Sequence, residues 1–299
     1  MSSKANGRRQ RSATDEFTNL FLANYPIHCE LRSGALHQKP LHRHNGYEIY
    51  LCLGGNGTYL VEDRLYPLHA GTLTIIPPHI LHHPFSKPGT ELRRCVLAVS
   101  EEYLELLTGA CPSSSRDITA LLTGGSAGSH YFLSAAQLEQ ARTLTDSLER
   151  AMTSEKLLGE LKTLTRFAEL LLLIGSLREA PLSQGNGGSA DERLIGDVIA
   201  YLASSYREEL RIEDLLTRFP VSRSRLLRLF KDTTGYSIIQ FLTEYRMNKA
   251  KCLLTDTDLP ISEVAAQAGF GDLSHFFHLF RRTNRLTPKQ YRGQAQTRQ

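Results

Sequence analysis

The last third of the chain contains an internal repeat, which limits the possible fold more than any other feature of the sequence. The segment from Ile212 to Arg246 and the segment from Ile261 to Arg292 share one order of features. Each predicts a short apolar helix, a tight turn and a second helix with a Leu-Phe-basic triplet, and each closes on Tyr-Arg. A doubled helix-turn-helix unit is typical of a chain that contacts DNA in two places.

The distribution of charge supports this interpretation. Residues 1–190 contain 18 basic and 18 acidic side chains, whereas residues 191–299 contain 17 basic and 13 acidic ones. The whole net charge of +4 therefore lies with the repeat. A basic surface attracts polyanions, so we expect double-stranded DNA as the partner of this part of the chain.

The remaining composition predicts a cytoplasmic protein without membrane contact. The longest apolar run, Leu170 to Ile174, is too short to cross a bilayer, and no apolar stretch follows the basic N-terminus. The five cysteines are odd in number, scattered and without Cys-x-x-Cys spacing, so neither disulfides nor a thiolate zinc site are expected.

The chain, at 299 residues, is long enough for two domains, and we predict an α+β multi-domain fold. An N-terminal β-barrel with flanking helices would precede an all-α C-terminal domain. We expect a disordered tail (1–25), the barrel (26–110), a helical dimerisation segment (130–180), a linker (181–191) and the helical domain (192–296), whose two units span 211–235 and 261–285.

Short β-branched and aromatic runs predict the strands of the barrel at Glu48–Leu53, Gly57–Glu62 and Thr72–Ile76. The Ser- and Gly-rich segment from Pro112 to Ser129 is interpreted as a loop. Helical periodicity returns from Ala135 to Arg178. The apolar run at residues 170–174 allows two interpretations, a helix packed on the barrel or the seam of a homodimer.

The second helix of the first unit has the composition of a DNA-reading helix. Ser222 is a suitable N-cap, and Leu226, Leu229 and Phe230 have the spacing of a core-facing stripe. Other side chains are left to face outward: Arg223, Ser224, Arg225, Leu227 and Arg228. Arginine binds guanine in the major groove through two hydrogen bonds, so we expect this face to read bases.

The second unit repeats the arrangement with a less basic face. Asp272 caps its second helix, and Phe276 and Phe280 pack inward. Ser274, His275 and His278 face outward, and Arg281 is placed to contact phosphates. The helix between the units, from Ser237 to Leu254, would be about 27 Å long, which approaches the spacing of successive major grooves.

Residues 193–292 resemble the DNA-binding domain of the AraC/XylS family of transcription regulators. The residues that carry the resemblance are Gly269-Phe270, Phe276, Phe280-Arg281, Thr287-Pro288 and Tyr291-Arg292. The resemblance implies an activator that works with RNA polymerase and reads bases through Ser224, Arg225, Leu227 and Arg228 in the first unit and Ser274, His275 and His278 in the second.

Three residues of the second unit depart from the family pattern. Arg285 stands where the family usually has Gly, His278 where it has Arg or Lys, and Phe277 where it has a small polar residue. These departures predict that the first unit discriminates among bases more strongly than the second.

The N-terminal half carries a cluster of potential ligands. His42, His44 and Glu48 follow the pattern HxHxxxE, and their even spacing would place them on one face of a strand. Gly71, Pro77 and His82 follow as GxxxxxPxxxxH. The two patterns resemble the cupin motifs, and residues 30–100 resemble the cupin-like effector domain of AraC-type regulators. His83 would point away from the cluster, toward the surface.

Several functions of this cluster remain open. His42, His44, Glu48 and His82 suit a divalent metal (Mn, Fe, Ni, Co or Zn), which would make the protein a metal-responsive regulator or a cupin metalloenzyme fused to a DNA-binding domain. A metal-free pocket would bind a small-molecule effector between the same residues and Tyr50 or Tyr59. Barrel-bearing relatives often sense sugars, so the resemblance implies a carbohydrate. A vestigial site is the third alternative. We expect a regulator without catalytic residues.

Overall fold

The computed structural model describes residues 18–19, 22, 25–34, 41–87, 89–110, 118–123, 129–152, 156–179 and 189–296. Most of the predicted tail (1–25) and most of the predicted linker (181–191) lie outside these ranges. No helix within them is both long enough and apolar enough to cross a membrane.

The N-terminal half contains two antiparallel sheets. The five-stranded sheet has the order β1-β7-β2-β5-β8 and the three-stranded sheet the order β4-β3-β6. The strands are β1 (Ile27–Gly34), β2 (Tyr47–Gly54), β3 (Gly57–Val61), β4 (Arg64–Leu68), β5 (Thr72–Ile76), β6 (His82–Ser86), β7 (Leu92–Val99) and β8 (Ser129–Phe132).

Strand β2 separates two environments because its side chains alternate between the faces of the sheet. Ile49 and Leu51 belong to the core that the larger sheet shares with the helices. Tyr50 and Cys52 lie on the opposite face, in the smaller apolar cluster between the two sheets. Glu48 lies on the same face as Tyr50 and Cys52 and is 5% exposed. The second face therefore supplies the interior of the barrel.

The helices beside the barrel for which the structure gives bounds are α1 (Glu101–Gly109), α2 (Thr119–Thr123), α3 (Ala135–Met152) and α4 (Lys156–Glu179). Helix α2 corrects the prediction of an uninterrupted loop from Pro112 to Ser129. Its Leu122 is fully buried in the core of the larger sheet, and this tertiary contact outweighs the turn-like composition around it.

Helix α4 settles the packing of the apolar run at residues 170–174. Leu170, Leu171, Leu173 and Ile174 are buried against the sheet and helix α3. Only Leu172 of this run points outward, with 75% of its surface exposed. The run therefore packs into the core beside the barrel. A homodimer seam would need the opposite, exposed face of the helix.

Residues 189–296 of the C-terminal half form helices without strands: α5 (Ala190–Ser204), α6 (Ile212–Arg218), α7 (Arg223–Thr234), α8 (Ile238–Asp256), α9 (Ile261–Gln267), α10 (Leu273–Asn284) and α11 (Pro288–Gln296). Together with the β-rich N-terminal half, this arrangement confirms the predicted fold class. Helices α6 and α7 form the first helix-turn-helix unit, α9 and α10 form the second, and α8 connects them.

The two units match at an offset of 50 residues. Ser222 accepts a hydrogen bond from the Arg225 amide at the start of α7, and Asp272 accepts bonds from two amides at the start of α10. Gly235 ends α7 and Arg285 ends α10, both in the left-handed conformation. Similar capping chemistry thus begins each second helix, and one backbone geometry ends both.

Candidate functional site

Helix α7 presents the outward face that the sequence predicts. Leu226 and Phe230 are fully buried. The residues predicted to read bases are exposed to solvent: Arg223, Ser224, Arg225, Leu227 and Arg228. The amphipathic helix, held at its N-terminus by the Ser222 cap, therefore offers a continuous polar and basic surface for the major groove.

The three arginines of this face differ in their ion pairs. Arg225 contacts the Asp191 carboxylate at 2.8 Å, and Arg223 contacts Glu213 of helix α6. Arg228 forms no ion pair with any residue that the structure describes. Because all of these groups are exposed, the pairs contribute little stability and DNA can displace them.

The face of helix α10 is more apolar. Ser274, His275, His278 and Arg281 are all exposed. Phe277 is 40% exposed beside His278, and the equivalent residue of the first unit, Leu227, is 36% exposed. Both units therefore carry an apolar side chain at the same place, where it can contact a thymine methyl group. The 50-residue offset in the sequence would have identified Phe277 as a member of this face.

The Tyr-Arg pair that closes each unit has a structural role. Arg246 donates to the carbonyls of Tyr206 and Glu208, both at 2.6 Å. Arg292 donates to the carbonyls of Leu254 and Leu259, at 3.3 and 2.6 Å. Each arginine thus binds the backbone that leads into the first helix of its own unit, and it holds that unit together.

The barrel brings three of the four predicted ligands to one point. Ligand atoms of His44, Glu48 and His82 all lie within 4.8 Å of one another, and all three residues are buried. The His44 Nε2 atom is 3.1 Å from Glu48 Oε2, and His82 Nε2 is 3.8 Å from the same oxygen. Tyr59 donates its hydroxyl to Glu48 Oε1 at 2.5 Å.

His42 lies beside this group, with its ring centroid 4.4 Å from that of His82. The expectation that His42, His44 and Glu48 share one strand is wrong. The first two residues precede β2, and Gly46, with φ of 82°, turns the chain before the strand begins. The turn is tight, because a Cβ atom at Gly46 would lie 2.5 Å from the Val99 carbonyl oxygen. This turn, and not a shared strand, brings the His42 and His44 side chains close to Glu48.

The electrostatics favour an ionised Glu48 carboxylate and a neutral His42 ring. Burial by itself raises the pKa of Glu48, but the hydrogen bond from His44, the neighbouring His82 and the Tyr59 hydroxyl lower it well below its usual value. Burial, and then the proximity of His82, lower the pKa of His42 well below that of a free imidazole. A carboxylate beside a neutral imidazole is the state that a metal ion requires.

The two tyrosines predicted for the effector pocket lie in the barrel interior. Tyr50 and Tyr59 are almost fully buried, with ring centroids 4.7 Å apart. The Tyr50 hydroxyl has no hydrogen-bond partner among the described residues. The prediction that His83 is a surface residue is wrong: it is 3% exposed, and its ring contacts Phe85 and Tyr236. The C-terminal domain covers it.

Two family models match the chain. Residues 25–171 match the AraC-like ligand binding domain, and residues 215–294 match a helix-turn-helix domain. A barrel for a ligand joined to two DNA-contacting units defines a DNA-binding transcription regulator with a small-molecule-binding domain. The chain belongs to the AraC family of such regulators. The interpretation as a metalloenzyme is therefore set aside, since this family regulates transcription.

Known transcription activators are similar to the chain along most of their length. The HTH-type transcriptional activator RhaS of Enterobacter sp. (strain 638) is 28% identical over 85% of this chain and 87% of its own. The HTH-type transcriptional activator RhaR of Cronobacter sakazakii is 26% identical over 85% of this chain and 86% of its own.

Solved structures also resemble the chain, at low structural similarity. Fatty-acid-bound ToxT from Vibrio cholerae shares 13% identity at a TM-score of 0.38, covering 90% of this chain and 95% of its own. The C-terminal domain of the response regulator yesN from Fusobacterium nucleatum shares 33% identity at a TM-score of 0.32, covering 35% of this chain and 99% of its own.

Proposed function

We propose that the protein activates transcription by reading DNA with helices α7 and α10 under the control of a ligand in its barrel. The observation that carries this proposal is the exposed face of α7 at residues 223–228, which recurs 50 residues later on α10. The connecting helix α8 has 19 residues, which is about 28 Å of rigid spacer. We propose activation and not repression because the similar proteins RhaS and RhaR are transcriptional activators.

The two faces have different roles in this proposal. Arg225 and Arg228 of the first unit supply bidentate contacts to guanine, and Leu227 contacts thymine methyl groups. In the second unit Ser274, His275 and His278 make weaker base contacts, while Arg281 binds phosphate and sets the register. RNA polymerase is the partner that the family resemblance implies for an activator.

A titration of DNA at several salt concentrations tests the DNA-binding part. A duplex from the region upstream of the gene should bind with selectivity over a scrambled duplex, and its affinity should fall linearly with the logarithm of salt concentration. Arg228→Ala should weaken binding of the specific duplex. Arg142, an exposed arginine of helix α3, offers a matched control, because Arg142→Ala removes the same charge as Arg228→Ala but far from the reading faces. Equal binding of both duplexes would refute the proposal.

The effector in this proposal is a small molecule bound in the barrel, and carbohydrate is the class that the family resemblance implies. The buried Tyr50 hydroxyl lacks a partner among the described residues, and the buried Glu48 carboxylate is an acceptor beside it; ligand hydroxyls can bond both groups. A thermal-shift screen of monosaccharides tests this. A binding sugar should raise the melting temperature, since a ligand at a hundred times its Kd stabilises by about 2.7 kcal/mol. Glu48→Gln should abolish the shift.

A divalent metal is a second candidate for the effector, favoured by the convergence of His44, Glu48 and His82. These three residues would hold the ion, with His42 as an adjacent imidazole. Bound metal would supply a positive charge that draws the surrounding rings together. Elemental analysis of protein purified without chelators tests this candidate: a metal at one equivalent, lost in His44→Ala, supports it, and absence after metal reconstitution refutes it.

A homodimer is proposed through the outer face of helix α4. Its exposed side chains follow the heptad spacing of a helix-helix seam: Leu158, Leu161, Thr165, Ala168 and Leu172. Leu161 and Leu172 are 52% and 75% exposed. Sedimentation equilibrium should show a dimer that Leu161→Glu converts to a monomer, whereas Leu106→Glu, at an exposed leucine of α1, should leave the dimer unchanged. A dimer that persists in Leu161→Glu would contradict the assignment.

A further inference from the structure

Two backbone segments build the barrel site, and they are paired with each other. The His42 amide donates to the His82 carbonyl at 3.1 Å, and the His82 amide donates to the His42 carbonyl at 2.9 Å. The segments at residues 41–44 and 81–83 therefore move as one unit, which we call the paired segments. His42, His44 and His82 point from them into the site.

The intervening residues of the first segment contact the C-terminal domain instead. Leu41 is 1% exposed and belongs to the core cluster of helices α5 and α8. Its amide donates to the Tyr236 hydroxyl at 3.1 Å. Arg43 is 7% exposed and donates to the Cys252 sulfur of helix α8. Neighbouring residues of one short segment thus face the site and helix α8.

The second segment repeats this arrangement. His83 follows His82 directly and is buried on the opposite side. Its ring centroid lies 6.0 Å from that of Tyr236, which begins the turn into helix α8. Tyr236 therefore contacts both paired segments, one through a hydrogen bond and the other through its ring.

We propose that the paired segments couple the site to the DNA-binding domain. This inference rests on the proposed function of the barrel as a ligand-binding domain. A ligand that draws His42, His44 and His82 together must displace Leu41, Arg43 and His83 on the same backbone. These three residues are the seat of helix α8, which joins the two reading units. Ligand binding in the site therefore changes the stability of the contacts between these residues and α8. By reciprocity, the stability of those contacts changes the affinity of the site for its ligand.

Other contacts between the two domains lie off the paired segments. Thr58 donates to the Thr233 carbonyl at 3.2 Å, and Lys87 contacts Glu192 at 3.4 Å; neither contact involves α8. They keep the domains in contact when the seat of α8 loosens. The response to a ligand is then a local change at α8, with the domains still together.

Hydrogen–deuterium exchange of the full chain tests this coupling without an identified ligand. Glu48→Gln removes the charge that organises the site and should speed exchange in residues 238–256 about fivefold, the factor that one lost hydrogen bond gives. Thr74→Val is the control, because Thr74 is a buried residue of the same sheet that bonds His130 instead. Unchanged exchange of α8 in Glu48→Gln, or an equal change in both variants, would overturn the proposal.

The reverse experiment perturbs the seat from the other side. Tyr236→Phe keeps the ring and leaves the Leu41 amide without its acceptor, so exchange at residues 41–45 and 80–84 should rise by a similar factor. Tyr206→Phe removes a phenol hydroxyl that bonds only exposed Arg207 among the described contacts, and it should leave those residues unaffected. Equal exchange of these peptides in Tyr236→Phe and wild type would refute the coupling, while DNA selectivity would still test the proposed function separately.

Discussion

At the scale of single residues, the end of helix α10 departs from the end of helix α7. Gly235 and Arg285 occupy equivalent positions with φ of 70° and 59°. Glycine adopts this left-handed conformation without steric cost, whereas a side chain makes it strained. The departure of Arg285 from the family pattern is therefore a cost in stability at a defined backbone position.

We expect Arg285→Gly to stabilise the protein by about 1 kcal/mol, because it relieves left-handed strain at the helix end. Urea unfolding followed by circular dichroism measures the difference. The matched control is Gly235→Ala, which introduces the same strain at the equivalent position and should destabilise by a similar amount. A loss of stability in Arg285→Gly would show that the arginine side chain makes contacts that outweigh its backbone strain.

His130 is a residue whose burial makes stability depend on pH. Burial, with a smaller contribution from the proximity of His69, lowers the pKa of His130 to about 3 from 6.5. Its Nδ1 atom lies 2.9 Å from the Thr74 hydroxyl. The unfolded chain therefore takes up a proton below pH 6.5 that the folded chain does not accept, and stability falls as the pH falls through this window.

Replacing His130 by Asn should remove this dependence. Between pH 7 and pH 5 wild type should lose about 2 kcal/mol more unfolding free energy than His130→Asn, because the other titrating groups are common to both proteins. Urea unfolding at pH 7, 6 and 5 gives the comparison. Parallel stability curves for the two proteins would show that folded His130 is protonated in this range.

At the scale of elements, the two arginine anchors explain why each unit closes on Tyr-Arg. The planar guanidinium of Arg246 reaches two carbonyls at once, which a lysine ammonium does not match. Gly269 must leave room for this anchor, because a Cβ atom there would lie 2.5 Å from the Tyr206 carbonyl oxygen that Arg246 binds and 2.9 Å from Arg246 Nε. The anchor of the first unit therefore also positions the turn of the second.

Arg246→Lys should destabilise the C-terminal domain by about 2 kcal/mol, since one of two carbonyls loses a charged donor. Arg292→Lys should have a similar effect through the second unit. Thermal unfolding measures both changes. The control Arg207→Lys, at an exposed neighbouring arginine, should change stability by less than about 0.5 kcal/mol. An Arg246→Lys variant as stable as this control would show that the anchor contributes nothing.

The elements themselves were largely predictable because their signals are local. Caps, apolar periodicity and the repeat identified α7, α8 and α10 to within about two residues. Helix α2 was missed because its stability comes from the tertiary burial of Leu122. The site was predictable in part: its residues were identified, but their convergence through the turn at Gly46 depends on backbone geometry that the spacing does not encode.

At the scale of the whole molecule, the contact between the domains was not predictable from the sequence. Pairs such as Arg43 with Cys252 lie 209 residues apart and have no local signal. This contact buries Leu41 and His83 and seats helix α8 on the barrel. The faces of α7 and α10 remain exposed in the same arrangement, so the docked molecule can present both of them to DNA.

The central claim is that this exposed surface reads DNA sequence, chiefly through the first unit. The most direct measurement is the affinity of wild type, Arg228→Ala and His278→Ala for a set of duplexes carrying every single-base change in the binding site. Arg228→Ala should lose about 1–3 kcal/mol of discrimination at one base pair of the site, and His278→Ala should lose much less. A larger loss of discrimination in His278→Ala than in Arg228→Ala, or no change in either variant, would show that the first unit is not the main reader of the sequence.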